Sequence, residues 1–150
     1  MTLLELQPKL QQAVANGQIG SPVALRVYLK SSDTDADLQS GGVTAIGMAR
    51  ELFDSPPARL MVRGDLQRQA TVLVTCVSGA TLFATLEGGT VESSSIHLTL
   101  IGNHGIANLE KVDWSPAALP EESPASIRWR QALSESHASG TAVVIPQGEA

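Results

Sequence analysis

Apolar residues recur along the chain with two periods, which separate predicted helices from predicted strands. A period near 3.6 residues predicts a first helix on Leu3, Leu10 and Val14, with Pro8 in its first turn, and two further helices over 42–53 and 125–137. Alternation of apolar and polar residues, or a short apolar run, predicts strands over 22–30, 60–62, 70–77, 80–86, 96–101, 106–109 and 143–145. The polar segment 31–40 and the Pro-rich segment 114–124 are predicted to be loops.

The order of these elements predicts the fold class. Most strands follow one another, with a hairpin signal such as Ser78-Gly79 between them, whereas the helices stand apart. This order is typical of an α+β fold with an open-faced, mostly antiparallel (mixed) β-sheet and helices packed on one face. Hydroxyl side chains recur through the strands, which indicates that part of the other face is wet or meets a partner; they are Thr71, Thr75, Thr81, Thr85 and Thr99.

Length and composition narrow the class of protein. The 150 residues are 43% hydrophobic and 17% charged, which suits one domain over 1–150 and excludes wholesale disorder. A net charge of −5 argues against nucleic acid and anionic membranes as partners, and no apolar run is long enough to span a membrane. No secretory signal is visible and the single cysteine, Cys76, excludes an internal disulfide, so we expect a reducing, cytoplasmic location. Because Cys76 lies within an apolar strand, a buried, inert thiol is favoured over a nucleophile.

Side chains that could bind a metal or catalyse a reaction are scattered along the sequence. Alternating acidic residues over 33–37 resemble the start of a calcium loop, but Leu38 stands where that loop needs Gly, which favours a solvated acidic loop. No metal site is predicted, because ligand spacing is absent from the three histidines, His97, His104 and His137. The sequence shows no activated nucleophile and no paired acid and base, so no catalytic residue is predicted.

Four short segments occur in an order and spacing that resemble one known domain. Gly-x-Ile-Gly at 17–20 leads into the first strand, and the helix ending at Phe53 is followed by a Pro-containing turn. A hairpin with Ser-Gly-Ala at its turn spans 70–86, and Ile-Gly-x-x-Gly follows at 101–105. Together they resemble the C-terminal domain of the glucose-fructose oxidoreductase, inositol dehydrogenase and rhizopine catabolism (Gfo/Idh/MocA) family. The resemblance is clearest over 8–110, with 111–124 as a loop and 125–145 as the last helix and strand.

Two departures limit what this resemblance implies about activity. Members of the family have an N-terminal Rossmann domain that binds NAD(P), whereas this chain begins where that domain would end and contains no Gly-x-Gly-x-x-Gly. The family's Asp-x-Gly-x-His-x-x-Asp helix motif, whose His serves in proton transfer, would fall on Ser40, Gly42, Thr44 and Gly47, and only Gly42 matches. The resemblance thus implies that no cofactor binds, and that Ser40, Thr44 and Gly47 are vestigial positions of a substrate cleft.

The resemblance implies a non-catalytic binding or assembly domain that forms a homodimer through its sheet. Either strand alternation would expose apolar side chains, so the predicted interface residues come from both registers: Val72, Val74, Leu73, Leu98 and Leu100. Two alternatives are an accessory subunit of a separate Rossmann-domain protein and the C-terminal part of a truncated oxidoreductase, which the reading frame upstream of Met1 would distinguish. A third is a small enzyme with a new, nucleotide-independent site at His97, His104 or Glu87.

Overall fold

Three helices and seven strands make up the part of the chain that this computed structural model describes, residues 3–32, 38–89, 94–112 and 123–147. The helices are α1 (Leu3–Ala15), α2 (Leu38–Phe53) and α3 (Pro124–Ser139). The strands are β1 (Pro22–Ser31), β2 (Pro57–Asp65), β3 (Gln69–Cys76), β4 (Thr81–Gly88), β5 (Ser95–Gly102), β6 (Ile106–Val112) and β7 (Val143–Val144). The acidic segment 33–37 and most of the predicted 114–124 loop lie outside the described residues.

The strands form one mixed sheet in the order β6-β5-β1-β4-β3-β2-β7. Strand β1 pairs in parallel with β4, and every other pairing in the described chain is antiparallel. The α+β, mostly antiparallel sheet predicted from the sequence is therefore confirmed. No helix among the described residues combines the length and the apolar character needed to cross a membrane.

The helices cover one face of the sheet, and the core lies between them and that face. On β1, Leu25, Val27 and Leu29 are buried, whereas Arg26 and Tyr28 point the other way and are exposed. The same alternation continues across the sheet, because hydrogen-bonded neighbours in register project to the same side. Helix residues complete the core, among them Leu10, Ile46, Met48, Trp129 and Leu133.

Helix α2 begins earlier than the sequence pattern predicts. It starts at Leu38, inside the segment 31–40 that was predicted to be a loop, and Leu38 is buried in the core. Gly41 and Gly42 therefore lie within the helix. A Cβ at Gly41 would lie 3.6 Å from the Leu29 side chain, and one at Gly42 would lie 3.4 Å from the Leu133 side chain. A Cβ at either position would thus be in ordinary van der Waals contact, with the sheet at Gly41 and with α3 at Gly42.

Two other elements differ in extent from the prediction. Strand β2 covers nine residues rather than the three over 60–62, because β3 pairs with it along its length and β7 pairs with it at one end. Pro8 lies inside α1 and not in its first turn. Helix α3 begins at a capping box formed by Ser123 and Ser126 and ends at Gly140, whose positive φ of 69° suits a glycine.

The β5–β6 turn holds the connection between α1 and β1. The Ser21 amide donates to Asn103 Oδ1 at 2.9 Å, and the His104 amide donates to the Ile19 carbonyl at 2.8 Å. Gly102 packs so closely on Ile19 that a Cβ would collide with the Ile19 carbonyl. Gly20, Gly102 and Gly105 therefore allow the segments 17–20 and 101–105 to meet in one tight contact, which fixes how the chain enters the sheet.

Candidate functional site

The three positions predicted to be vestigial cleft residues lie on α2, and each of them makes a contact within the chain. Ser40 is buried, and its hydroxyl accepts a hydrogen bond from Arg130 Nη2 at 3.1 Å. The Thr44 hydroxyl donates to the Ser40 carbonyl at 2.9 Å, a local bond within the helix. A Cβ at Gly47 would lie 3.6 Å from the Trp129 ring. Each position therefore contacts α2 itself or α3.

A polar cluster joins the first turn of α2 to the middle of α3. Gln39 accepts from Arg130 Nη1 at 3.1 Å, while its own Nε2 donates to the Ser134 hydroxyl at 2.7 Å. The same Nε2 lies 3.3 Å from the Arg130 carbonyl. Together with the bond from Arg130 to Ser40, these contacts join the two helices and stabilise the pair.

The residues considered for a new enzymatic site are not brought together into a constellation. His97 and Glu87 point from the uncovered face of the sheet, on β5 and β4, with β1 between them. His104 lies in the exposed turn after β5, and His137 lies in the last turn of α3. Among the described residues no group of three or more His, Cys, Asp or Glu side chains could hold a metal ion.

Cys76 ends β3 and is 3% exposed. Burial raises the pKa of its thiol to about 11, since the apolar surroundings disfavour the thiolate. A thiol that stays protonated at neutral pH is a poor nucleophile. The structure therefore agrees with an inert thiol at this position.

The uncovered face of the sheet, which we call the open face, is formed by alternate residues of every strand. Its middle row is Asn108, Thr99, Arg26, Phe83, Leu73 and Met61. The row on one side is Glu110, His97, Tyr28, Thr85, Thr71 and Arg63, and the row beyond it includes Ser95, Lys30, Glu87, Gln69 and Asp65. The row on the other side is Ile106, Ile101, Ala24, Thr81, Thr75, Arg59 and Val144. All five threonines noted in the sequence project from this face.

Four of the five predicted interface residues lie on the covered face of the sheet. Val72, Val74, Leu98 and Leu100 are each 0% exposed beneath the helices. They cannot contact a partner through the open face, and their assignment to an interface is wrong for that reason. Leu73 is 43% exposed in the middle row of the open face. An interface role for Leu73 stays a prediction.

Aromatic and charged side chains on the open face interact with one another. The Arg26 guanidinium lies 6.0 Å from the Phe83 ring centre, and Lys30 Nζ lies 5.0 Å from the Tyr28 ring centre. The Tyr28 hydroxyl donates to Glu87 Oε2 at 3.1 Å, and this bond to the carboxylate raises the pKa of Tyr28. Cation–aromatic contacts of this kind hold the two rings in place on the surface.

Phe83, Tyr28 and Arg26 were not predicted from the sequence to be surface residues of interest. The alternation along β1 could have identified two of them, because Leu25, Val27 and Leu29 form its more apolar side and leave Arg26 and Tyr28 to face outward. Phe83 follows only once the β1–β4 pairing is known, since both parities of β4 carry large apolar side chains. Arg130 and Gln39 carried no comparable signal, because they are 91 residues apart in the chain.

Comparison with known proteins identifies the fold. Neither protein-family models nor curated protein sequences give a match to the chain. Solved structures do match, among them myo-inositol dehydrogenase from Lactobacillus casei in complex with NAD(H) and myo-inositol, with a TM-score of 0.78 at 11% identity. Myo-inositol 2-dehydrogenase from Lactobacillus plantarum matches with a TM-score of 0.72 at 11% identity. GenD2 from gentamicin A biosynthesis, in complex with NAD, matches with a TM-score of 0.70 at 14% identity.

The extent of these matches shows which part of the neighbours this chain resembles. The alignments cover 96%, 93% and 93% of this chain but only 60%, 61% and 60% of the three neighbours, in the same order. The fold is that of the C-terminal domain of NAD-dependent dehydrogenases. The resemblance stated from the sequence is thereby confirmed at the level of the fold.

Proposed function

We propose that this chain is a non-catalytic assembly domain that forms a homodimer through the open face of its sheet. The observation that carries the proposal is the exposure of large apolar side chains at the centre of that face. Leu73, Phe83 and Tyr28 are 43%, 41% and 40% exposed, and they lie on β3, β4 and β1, which are neighbours in the sheet. A contiguous apolar patch of this kind is unfavourable in water and favours contact with a partner.

The size of the open face supports a second copy as its occupant. Five spacings of ~4.8 Å across the six long strands, and about eight residues of ~3.3 Å along each, give a face of roughly 600–650 Å². A stable dimer buries about 600–1,000 Å² on each partner. Since a two-fold interface uses the same patch on both copies, one face of this size is sufficient.

The non-catalytic part of the proposal rests on the helix side of the sheet. Ser40, Thr44 and Gly47 hold the positions where the resembling family has its acid and base, and here they contact α3 or their own helix. The proposal also keeps the cytoplasmic location expected from a free, buried cysteine. Pairing with a separate Rossmann-domain protein is the alternative if the isolated chain does not self-associate.

Sedimentation equilibrium at micromolar concentration tests the dimer. The wild-type chain should sediment as a species of twice 15.7 kDa. Leu73→Asp and Phe83→Asp should each sediment as folded monomers, because a carboxylate at the centre of the interface would be desolvated without a partner. Ile127→Asp is the matched control, since Ile127 is 52% exposed on α3 and faces away from the open face. A wild-type chain that sediments at 15.7 kDa would refute the proposal.

A further inference from the structure

The charged residues of the open face differ in whether the chain itself satisfies them. Lys30 and Glu87 are opposite one another in register, and Glu87 also accepts from Tyr28. Arg26 lies over the Phe83 ring. Asp65 accepts from the Gln67 amide at 2.9 Å in the β2–β3 turn. Each of these charges has a described contact within the chain.

Among the described strand residues of the open face, three exposed charges remain, and they lie on strands at opposite sides of the sheet. Arg59 and Arg63 are exposed on β2, and Glu110 is exposed on β6. None of the three forms an ion pair within the described part of the chain. Arg63 and Glu110 are the two ends of a single cross-strand row, which runs Glu110, His97, Tyr28, Thr85, Thr71 and Arg63.

A two-fold axis that brings two open faces together lies in the plane between the sheets, and for aligned sheets it runs either nearly along the strands or nearly across them. An axis across the strands that follows the middle row stacks β2 on the partner's β2, so Arg59 of each copy approaches the partner's Arg63. Juxtaposed like charges oppose association strongly. An axis along the strands, between β1 and β4, divides the six long strands evenly and stacks β6 on the partner's β2. This axis also reverses the row that runs from Glu110 to Arg63, so Glu110 of one copy lies over the partner's Arg63.

We infer that the dimer axis runs along the strands between β1 and β4, and that Glu110 of each copy pairs with the partner's Arg63. This inference rests on the proposed function, because it specifies how the two open faces meet. The pairing occurs twice, at the two edges of the interface, and sheets packed about 10 Å apart leave room for long side chains to meet between them. The apolar centre drives association, and the two ion pairs select the orientation.

A charge-exchange experiment tests the inference. Glu110→Arg places arginine opposite arginine in its homodimer, and Arg63→Glu places glutamate opposite glutamate. Each homodimer should therefore dissociate at least about tenfold more readily than the wild type. In a mixed dimer, the new Arg faces the new Glu at one edge and the native pair forms at the other. An equimolar mixture should thus form a heterodimer with a Kd within about threefold of the wild-type value, as native mass spectrometry would show.

The controls separate this inference from its premise. Glu135→Arg on α3 and Arg50→Glu on α2 make the same charge changes on exposed helix positions, and mixing them should leave dimerisation unaltered. Misfolding cannot produce the rescue, since a heterodimer needs both chains folded. If the wild type dimerises and Leu73→Asp does not, but the mixture associates no better than either charge variant alone, the axis is wrong and the dimer stands. A monomeric wild type would overturn both.

Discussion

At the scale of single residues, burial decides the chemistry of the one thiol. Cys76 is 3% exposed, and burial raises the pKa of its thiol to about 11. In the unfolded chain the thiol ionises near pH 8.5, whereas in the folded chain it keeps its proton up to about pH 11. The folded state therefore binds more protons between these values, so the contribution of this residue to stability is full below about pH 8.5 and is lost as pH rises.

Chemical denaturation at increasing pH measures this loss. The free energy of unfolding of the wild type should fall between pH 8.5 and pH 11 more steeply than that of Cys76→Ala, by at most about 1.4 kcal/mol per pH unit. The comparison with Cys76→Ala cancels the titration of lysines and of Tyr28, which both chains share. Equal slopes would show that Cys76 is ionised or exposed in the folded state. Thiol labelling at neutral pH should agree, slow in the native chain and fast after denaturation.

Individual residues also show how far the open face was predictable from sequence. On β1 the two parities differ clearly, with Leu25, Val27 and Leu29 against Arg26 and Tyr28, so the buried side follows from sequence alone. On β3 both parities are apolar at their centre, since Val72 and Val74 alternate with Leu73. The threonines flanking Leu73 decide the outcome, because their hydroxyls stay at the surface while the all-apolar parity enters the core.

At the scale of the elements, one buried serine connects a helix to the edge of the sheet. Ser136 is 0% exposed on α3; its hydroxyl accepts from the Val62 amide at 2.9 Å and donates to the Thr141 carbonyl at 2.7 Å. Strand β7 pairs with β2 only at Arg59 and Leu60. Beyond these two residues β7 offers no partner, and the Ser136 hydroxyl accepts the hydrogen bond of the Val62 amide instead. Its bond to Thr141 also fixes the segment that leads from α3 to β7.

Ser136→Ala should therefore destabilise the protein more than an exposed serine change does. Removing the hydroxyl leaves a buried amide without a partner, which costs about 1–3 kcal/mol in the free energy of unfolding. Ser139→Ala, three residues further on and exposed, should change it by less than about 0.5 kcal/mol. Urea denaturation of the two variants measures the difference. Equal midpoints for both would mean that the Ser136 bridge contributes nothing to stability.

The boundaries of elements were less predictable than their existence. All three helices and the strands follow from periodicity, but α2 begins at Leu38 rather than after the glycine pair. Glycine usually weakens a helix, so local propensity placed the boundary after it. Packing overrides that preference here, since Gly41 and Gly42 face Leu29 and Leu133. Such a contact joins residues distant in sequence and leaves no local signal.

At the scale of the whole molecule, the order of the elements predicted the fold class and four motifs carried the family resemblance, but neither predicted which strands pair. The parallel contact of β1 with β4 places Arg26 beside Phe83, although the two are far apart in sequence. Nothing in a local pattern specifies that neighbour. The same holds for α3, whose Trp129 and Arg130 pack on α2 at Gly47 and Ser40. The identities of these α2 residues could be compared with the family motif from sequence alone, whereas their contacts with α3 could not be predicted.

The last prediction concerns nucleotide binding by the chain as a whole. A dinucleotide pyrophosphate is held where a Gly-rich turn brings backbone amides at a helix N-terminus close to the phosphates. The chain has 13 glycines, and no two of them are separated by a single residue. The first turn of α2 carries Gln39 and Ser40, whose side chains bind Arg130 of α3. We therefore expect no binding of NAD(H) or NADP(H).

Titration calorimetry with this chain should show only heats of dilution with either nucleotide up to about 1 mM, which corresponds to less than about 4 kcal/mol of binding free energy. The myo-inositol dehydrogenase from Lactobacillus casei, whose structure contains NAD(H), is the positive control for the nucleotide and the instrument. The two proteins share the matched fold, which covers 60% of the neighbour's chain. A difference between them would therefore show that the matched fold alone is not sufficient for NAD binding. Micromolar binding by this chain would contradict the prediction, because it would require a nucleotide site built without the Gly-rich turn. Such a site on the open face or on the helix layer would favour an enzymatic function.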